Sequence, residues 1–103
     1  MKNFHTVTTV DFETEPFHEG FNISLNPPKP VGVSIKLGDN PSRYYSWGHP
    51  SENNCTWEEG KKALDDIWHA PLLFHNAKFD VAVAISHMGL PMPHFSYIND
   101  TMY

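Results

Sequence analysis

Leu72-Leu73-Phe74, an apolar run lying between two helical stretches, restricts the fold of this chain more than any other segment. A run that short, with no polar face, reads as a central strand covered on both faces. Upstream, Thr56-Trp57-Glu58-Glu59 has the spacing of a capping box, with Thr56 as N-cap and Glu59 reaching back. Behind it Trp57, Leu64, Ile67 and Trp68 fall on one helical stripe with Ala63 at its edge, so both tryptophans are expected in the core. Pro71 forces that helix to stop. Downstream, Asn76 can cap a second helix that turns Phe79, Val83 and Ile85 inward and ends at Gly89.

The front of the chain has strand periodicity instead. Residues 4–12, rich in Phe, Thr and Val, read as a first strand, with Val7, Thr9, Asp11 and Glu13 on one face. Residues 14–30 carry Pro27, Pro28 and Pro30 and form a loop. Val31, Val33, Ile35 and Leu37 alternate with Gly32, Ser34 and Lys36, a strand with one wet face. After the turn Gly38-Asp39-Asn40-Pro41, Arg43 to Trp47 returns as a hairpin partner. Beyond Pro91 and Pro93, Tyr97 to Met102 supplies a last strand. The order β-β-β-α-β-α-β describes one α/β domain over residues 1–103, an antiparallel three-strand meander extended by two parallel strands.

Composition narrows the function classes. Hydrophobic residues at 40% are enough for a core. A net charge of −5 argues against a nucleic-acid binder that depends on broad basic steering, though not against an enzyme that grips a strand end locally. The single Cys55 excludes an internal disulfide and a Cys-based zinc site. The seven His residues lack HExxH or short paired spacing and read as surface or satisfied core histidines. The first residues lack the apolar run of a signal peptide and no stretch reaches membrane-spanning length, so the expected compartment is cytoplasmic, with no membrane partner. The Asn-x-Ser/Thr triplets at Asn22, Asn54 and Asn99 are then chance matches.

The chemistry is concentrated in Asp11-Phe12-Glu13-Thr14 and Asn76-Ala77-Lys78-Phe79-Asp80. Side chains i and i+2 of a strand share a face, which sets Asp11 and Glu13 within about 7 Å of each other. Asp11 is flanked by Val10 and Phe12, so its carboxylate is expected to need a compensating partner. If the Leu72–His75 strand lies beside the first strand, the helix starting at Asn76 opens at the carboxyl end of both, where ligands sit in α/β sheets. Asp80 then arrives as a third acid, and such a group needs positive charge. Oxygen-only donors favour a hard ion, Mg²⁺ or Mn²⁺.

Asp-x-Glu-Thr, then Asn-x-x-x-Asp, then Asp100-Thr101-Met102, in that order, resembles the proofreading 3′–5′ exonuclease domain of the bacterial and phage DNA polymerase I family. Those domains are DEDD exonucleases on the ribonuclease-H-like fold, and the resemblance extends over nearly the whole chain. It implies that Asp11, Glu13 and Asp80 are three of four acids holding two Mg²⁺ or Mn²⁺ ions, and that Thr14, Asn76 and Phe79 lie along the strand end being cut. Asp100 matches a position near the site that is not one of the four acids. The family's last motif, Tyr or His ahead of the fourth Asp, has no counterpart, because Tyr103 ends the sequence. The chain is therefore expected to be the front part of such a domain, with its closing helices missing. The resemblance implies hydrolysis at a DNA 3′ end, with single-stranded DNA as partner and a polymerase domain or second chain supplying the rest. The alternatives are an inactive exonuclease-like module that binds nucleic acid or a polymerase, and an RNA-degrading DEDD enzyme.

Overall fold

The computed structural model describes residues 7–16 and 26–100. Strands β1 (Thr8–Thr14), β2 (Pro30–Leu37), β3 (Arg43–Ser46), β4 (Leu72–Phe74) and β5 (Ile98–Asp100) form one mixed sheet in the order β3-β2-β1-β4-β5. β2 runs antiparallel to both β1 and β3, while β4 runs parallel to both β1 and β5. The expected meander with a parallel extension is therefore what forms. Helix α1 (Trp57–Ile67) connects β3 to β4, and α2 (Ala77–Met88) connects β4 to the turn before β5. Residues 4–6 of the expected first strand, the Asn22 triplet, Thr101 and Met102 lie outside the described residues.

Both crossovers travel the same way along the sheet, so right-handed connections put both helices on one face. Strand register defines that face: Val10 sits opposite Ile35 and beside Phe74, Phe12 opposite Val33, and Leu72 beside Ile98. All but Ile98, which is partly buried and packs against the rest, form one buried cluster with Leu64 and Trp68 of α1 and Val81, Val83, Ala84 and Met88 of α2. Pairing of Asp11 with Ser34 and of Glu13 with Gly32 marks the other face, which neither helix covers. Leu73 belongs to it and is only half-buried, so β4 is covered by helices on one face and not on two.

The local signals hold in the main. Thr56 Oγ1 accepts from the Glu59 N–H at 3.1 Å, and Glu59 Oε1 accepts from the Thr56 N–H at 2.9 Å, closing the capping box. Gly89 ends α2 at φ 66°, a left-handed conformation that glycine adopts without Cβ strain. Two inward expectations fail. Trp57 is 38% exposed, bordering an open pocket with Pro30, Val31 and Trp47 that leaves part of its ring uncovered, whereas Trp68 is 2% exposed and donates its indole N–H to the Pro91 carbonyl at 2.7 Å. Ile85 is likewise exposed, since Val81, Val83, Ala84 and Met88 already occupy the buried side of α2. Among the described residues no helix is long and apolar enough to cross a membrane.

Candidate functional site

The site forms where β4 stops and β1 continues. β4 accompanies β1 only as far as Val10, leaving Asp11 to Thr14 without a neighbour on that side. The Thr8 N–H already points that way, donating to the Pro71 carbonyl at 3.1 Å. Alternation then directs the Phe12 N–H toward the same side, past the end of β4, where no strand can receive it. Asp80, in the first turn of α2, receives it instead. A backbone donor orphaned by the sheet is thus satisfied by an acid that the following helix brings round.

Asp80 is 3% exposed, and its Oδ2 atom is buried with no hydrogen-bond partner. Burial first, then the charges of Asp11 and Asp100, push its pKa up to about 7, against the opposing pull of the Phe12 N–H. An acid in that position resists ionisation below neutral pH, and a cation would favour its charged form.

Asp100, at the end of β5, does what Asn76 was expected to do. Asn76 occupies the N-cap position of α2 but its side chain makes no capping bond. Asp100 Oδ2 accepts from the Ala77 N–H at 3.1 Å, so the cap comes from the neighbouring strand. The register that sets Asp100 beside Phe74 carries its carboxylate to the start of α2.

The two acids of β1 part company. Both are exposed on the uncovered face, so Asp11 needs no buried counter-charge, contrary to the expectation from its apolar neighbours. Asp11 lies close enough to act on Asp80 electrostatically. Glu13 turns toward β3: its Oε2 accepts from the Tyr44 hydroxyl and lies 3.5 Å from His49 Nε2. The Tyr44 oxygen is also 2.8 Å from His49 Nε2. Partial burial, the hydrogen bond to Glu13 and the Glu13 charge push the Tyr44 pKa up to about 12, so it remains a donor at neutral pH.

The remaining expected residues flank this region. Thr14 is half-buried at the end of β1 and donates its hydroxyl to the Glu15 carbonyl at 3.1 Å. Phe79 is half-buried against the core, with part of its ring left exposed. Among the described residues no three His, Cys, Asp or Glu side chains stand together closely enough to hold a metal ion. The charges of Asp11 and Asp100 both act on Asp80 without the three forming a closed ligand shell. The unpartnered Asp80 Oδ2 and the mutual repulsion of these acids nevertheless fit a hard cation that accepts oxygen donors.

Tyr44, His49 and the capping role of Asp100 escaped the sequence reading. Only strand register reveals that Tyr44 shares a face with Asp11 through Ser34. No family model matches the chain, and no curated protein matches it by sequence.

Proposed function

We propose that this chain is the front part of a 3′–5′ exonuclease domain of the DNA polymerase I type, built on a ribonuclease-H-like sheet and acting at single-stranded DNA 3′ ends. The observation that carries the reading is the buried, unpartnered Asp80 oxygen beside Asp11, at the carboxyl end of two adjacent parallel strands. The sheet order and the position of α2 support it, because they bring the Asp-x-Glu strand and the Asn-x-x-x-Asp helix to one edge.

In this reading Asp11, Glu13 and Asp80 hold Mg²⁺ or Mn²⁺, with a fourth acid supplied from outside these residues. A pair of such ions supplies charge neutralisation at the scissile phosphate and activation of the attacking water. Asp80, fixed by the Phe12 N–H, is the rigid member of the set, and Asp11 on its exposed strand is the adjustable one. The aromatic face of the half-buried Phe79 stacks on the terminal base, a contact that tolerates any sequence. Asn76, whose side chain is not spent on capping α2, can hydrogen-bond the terminal nucleotide, and Thr14 lies at the same end of β1. The chain's negative charge suits an enzyme that must release a paired end.

The test is to express the whole reading frame around the chain and assay mononucleotide release from 5′-labelled single-stranded DNA with Mn²⁺. The expected result is stepwise shortening from the 3′ end that Asp80→Ala abolishes. Equal shortening by wild type and Asp80→Ala refutes the reading. One observation favours the non-cutting module instead: among the described residues no three His, Cys, Asp or Glu side chains stand together as a metal site. DNA binding without any metal-dependent product would decide for that module, and product from RNA alone for the RNA-degrading enzyme.

A further inference from the structure

We infer that Tyr44 and His49 are positioning residues that set where the Glu13 carboxylate stands for metal binding, an inference that rests on the proposed function and deepens it. The Glu13 contact is built from several independent elements. Tyr44 reaches Glu13 diagonally across β2, and it can do so only because position 32 lacks a side chain. A Cβ on Gly32 would lie 2.6 Å from the Tyr44 oxygen and 2.9 Å from the Tyr45 carbonyl oxygen. The glycine between them on β2 is therefore a passage for the phenol.

The proton arrangement follows from the donor inventory. The Tyr44 hydroxyl has one proton and gives it to Glu13, so His49 must present an N–H at Nε2 to the phenolic oxygen. His49 is thereby a donor aimed at the same corner, its Nε2 also facing Glu13 Oε2. Both groups act on Oε2. Two contacts on one oxygen restrict how the carboxylate can turn.

His49 is itself held with care. Asn53 Oδ1 accepts from the His49 N–H at 2.9 Å and from the Ser46 hydroxyl at 3.0 Å, while Asn53 Nδ2 donates to the His49 carbonyl at 2.9 Å. Asn54 Oδ1 accepts from the Ser46 N–H at 2.8 Å, and its Nδ2 donates to the Tyr44 carbonyl at 2.7 Å. The Asn54 and Cys55 N–H groups both donate to the Ser46 carbonyl. Within this loop Glu52 takes φ 62°, a left-handed conformation uncommon for a residue other than glycine. Two asparagines and a strained backbone thus bind the loop to β3, and the side chain it delivers toward β1 is His49.

The test is Mn²⁺ binding by calorimetry to this chain, with thermal melts to confirm folding, on wild type, Tyr44→Phe, Glu13→Gln and the double variant. Tyr44→Phe keeps the ring and removes the donor. It is expected to weaken Mn²⁺ binding about tenfold, the usual effect of losing a group that orients a metal ligand. In the Glu13→Gln background the same substitution is expected to change nothing, because Tyr44 acts through Glu13. His49→Ala should weaken binding in the same direction. Wild-type affinity in Tyr44→Phe, or an equal loss in both backgrounds, overturns the inference. If Asp80→Asn removes binding while Glu13→Gln does not shift it, the inference fails and the Asp80 site stands. No Mn²⁺ binding by the wild type overturns both.

Discussion

Replacing Asp80 by Asn should stabilise the metal-free protein at neutral pH. The side chain keeps its shape and an oxygen for the Phe12 N–H, and it can no longer ionise in a buried position without a counter-charge. Asp80 has its pKa raised from 3.8 to about 7 on folding. Protonation of this group therefore favours the folded state, fully so below about pH 4, and that contribution is lost as pH rises through about 7. A shift of about 3 units corresponds to an upper bound of about 4 kcal/mol. Relaxation around the ionised group reduces this, so about 2–4 kcal/mol is expected for the gap between variant and wild type at pH 8. For a domain of this size even the lower figure raises the melting temperature by roughly 8 °C or more. Urea and thermal unfolding in EDTA at pH 4, 6 and 8 measure the gap, which should be near zero at pH 4, open through pH 6 and level above pH 7. Saturating Mn²⁺ should then stabilise the wild type, by about 2.7 kcal/mol at a hundredfold excess over Kd, and leave the variant unmoved. A pH-independent gap, or a variant less stable than wild type at pH 8, would refute the placement of Asp80 as a buried acid lacking a counter-charge.

Other substitutions probe the supports of that acid. Asp100→Asn should keep the acceptor for the Ala77 N–H while lowering the Asp80 pKa, read by carboxyl-carbon NMR; Asp100→Ala should in addition lose about 1 kcal/mol at pH 4, where Asp80 is neutral. Thr56→Ala opens the capping box of α1 and should cost about 1 kcal/mol in urea unfolding. Trp68→Ala should cost about 3–5 kcal/mol, whereas Trp57→Ala, which removes a partly covered ring, should cost less, about 1–2 kcal/mol.

What the sequence disclosed and what it hid divide along the range of the interactions. Local signals sufficed for the capping box at Thr56, the stop before β4, the glycine end of α2 and the alternation of Val31 to Leu37, because each rests on residues a few positions apart. The parallel extension was readable from element order, since helices separate β3, β4 and β5. Trp57 misled because a helical stripe gives a direction and says nothing of how fully neighbouring residues close over a side chain at the helix end. Asn76 misled because an Asn at a helix start is a competent cap, and the competitor, Asp100, arrives through strand pairing. At the site, the acids announced themselves by type and spacing, but the fate of Glu13 depended on a tyrosine two strands away and a glycine between them. Neither can be placed without the register.

Paramagnetic mapping of Mn²⁺ on the isotopically labelled chain tests the central claim most directly. At substoichiometric Mn²⁺ the amide signals of Asp11, Phe12, Glu13 and Asp80 should broaden first, and Asp80→Asn should remove that broadening. Loss of signal centred instead on Asp65 and Asp66, the solvated acids of α1 already paired with lysines, or an identical pattern in Asp80→Asn, would contradict a cation site at the end of β4.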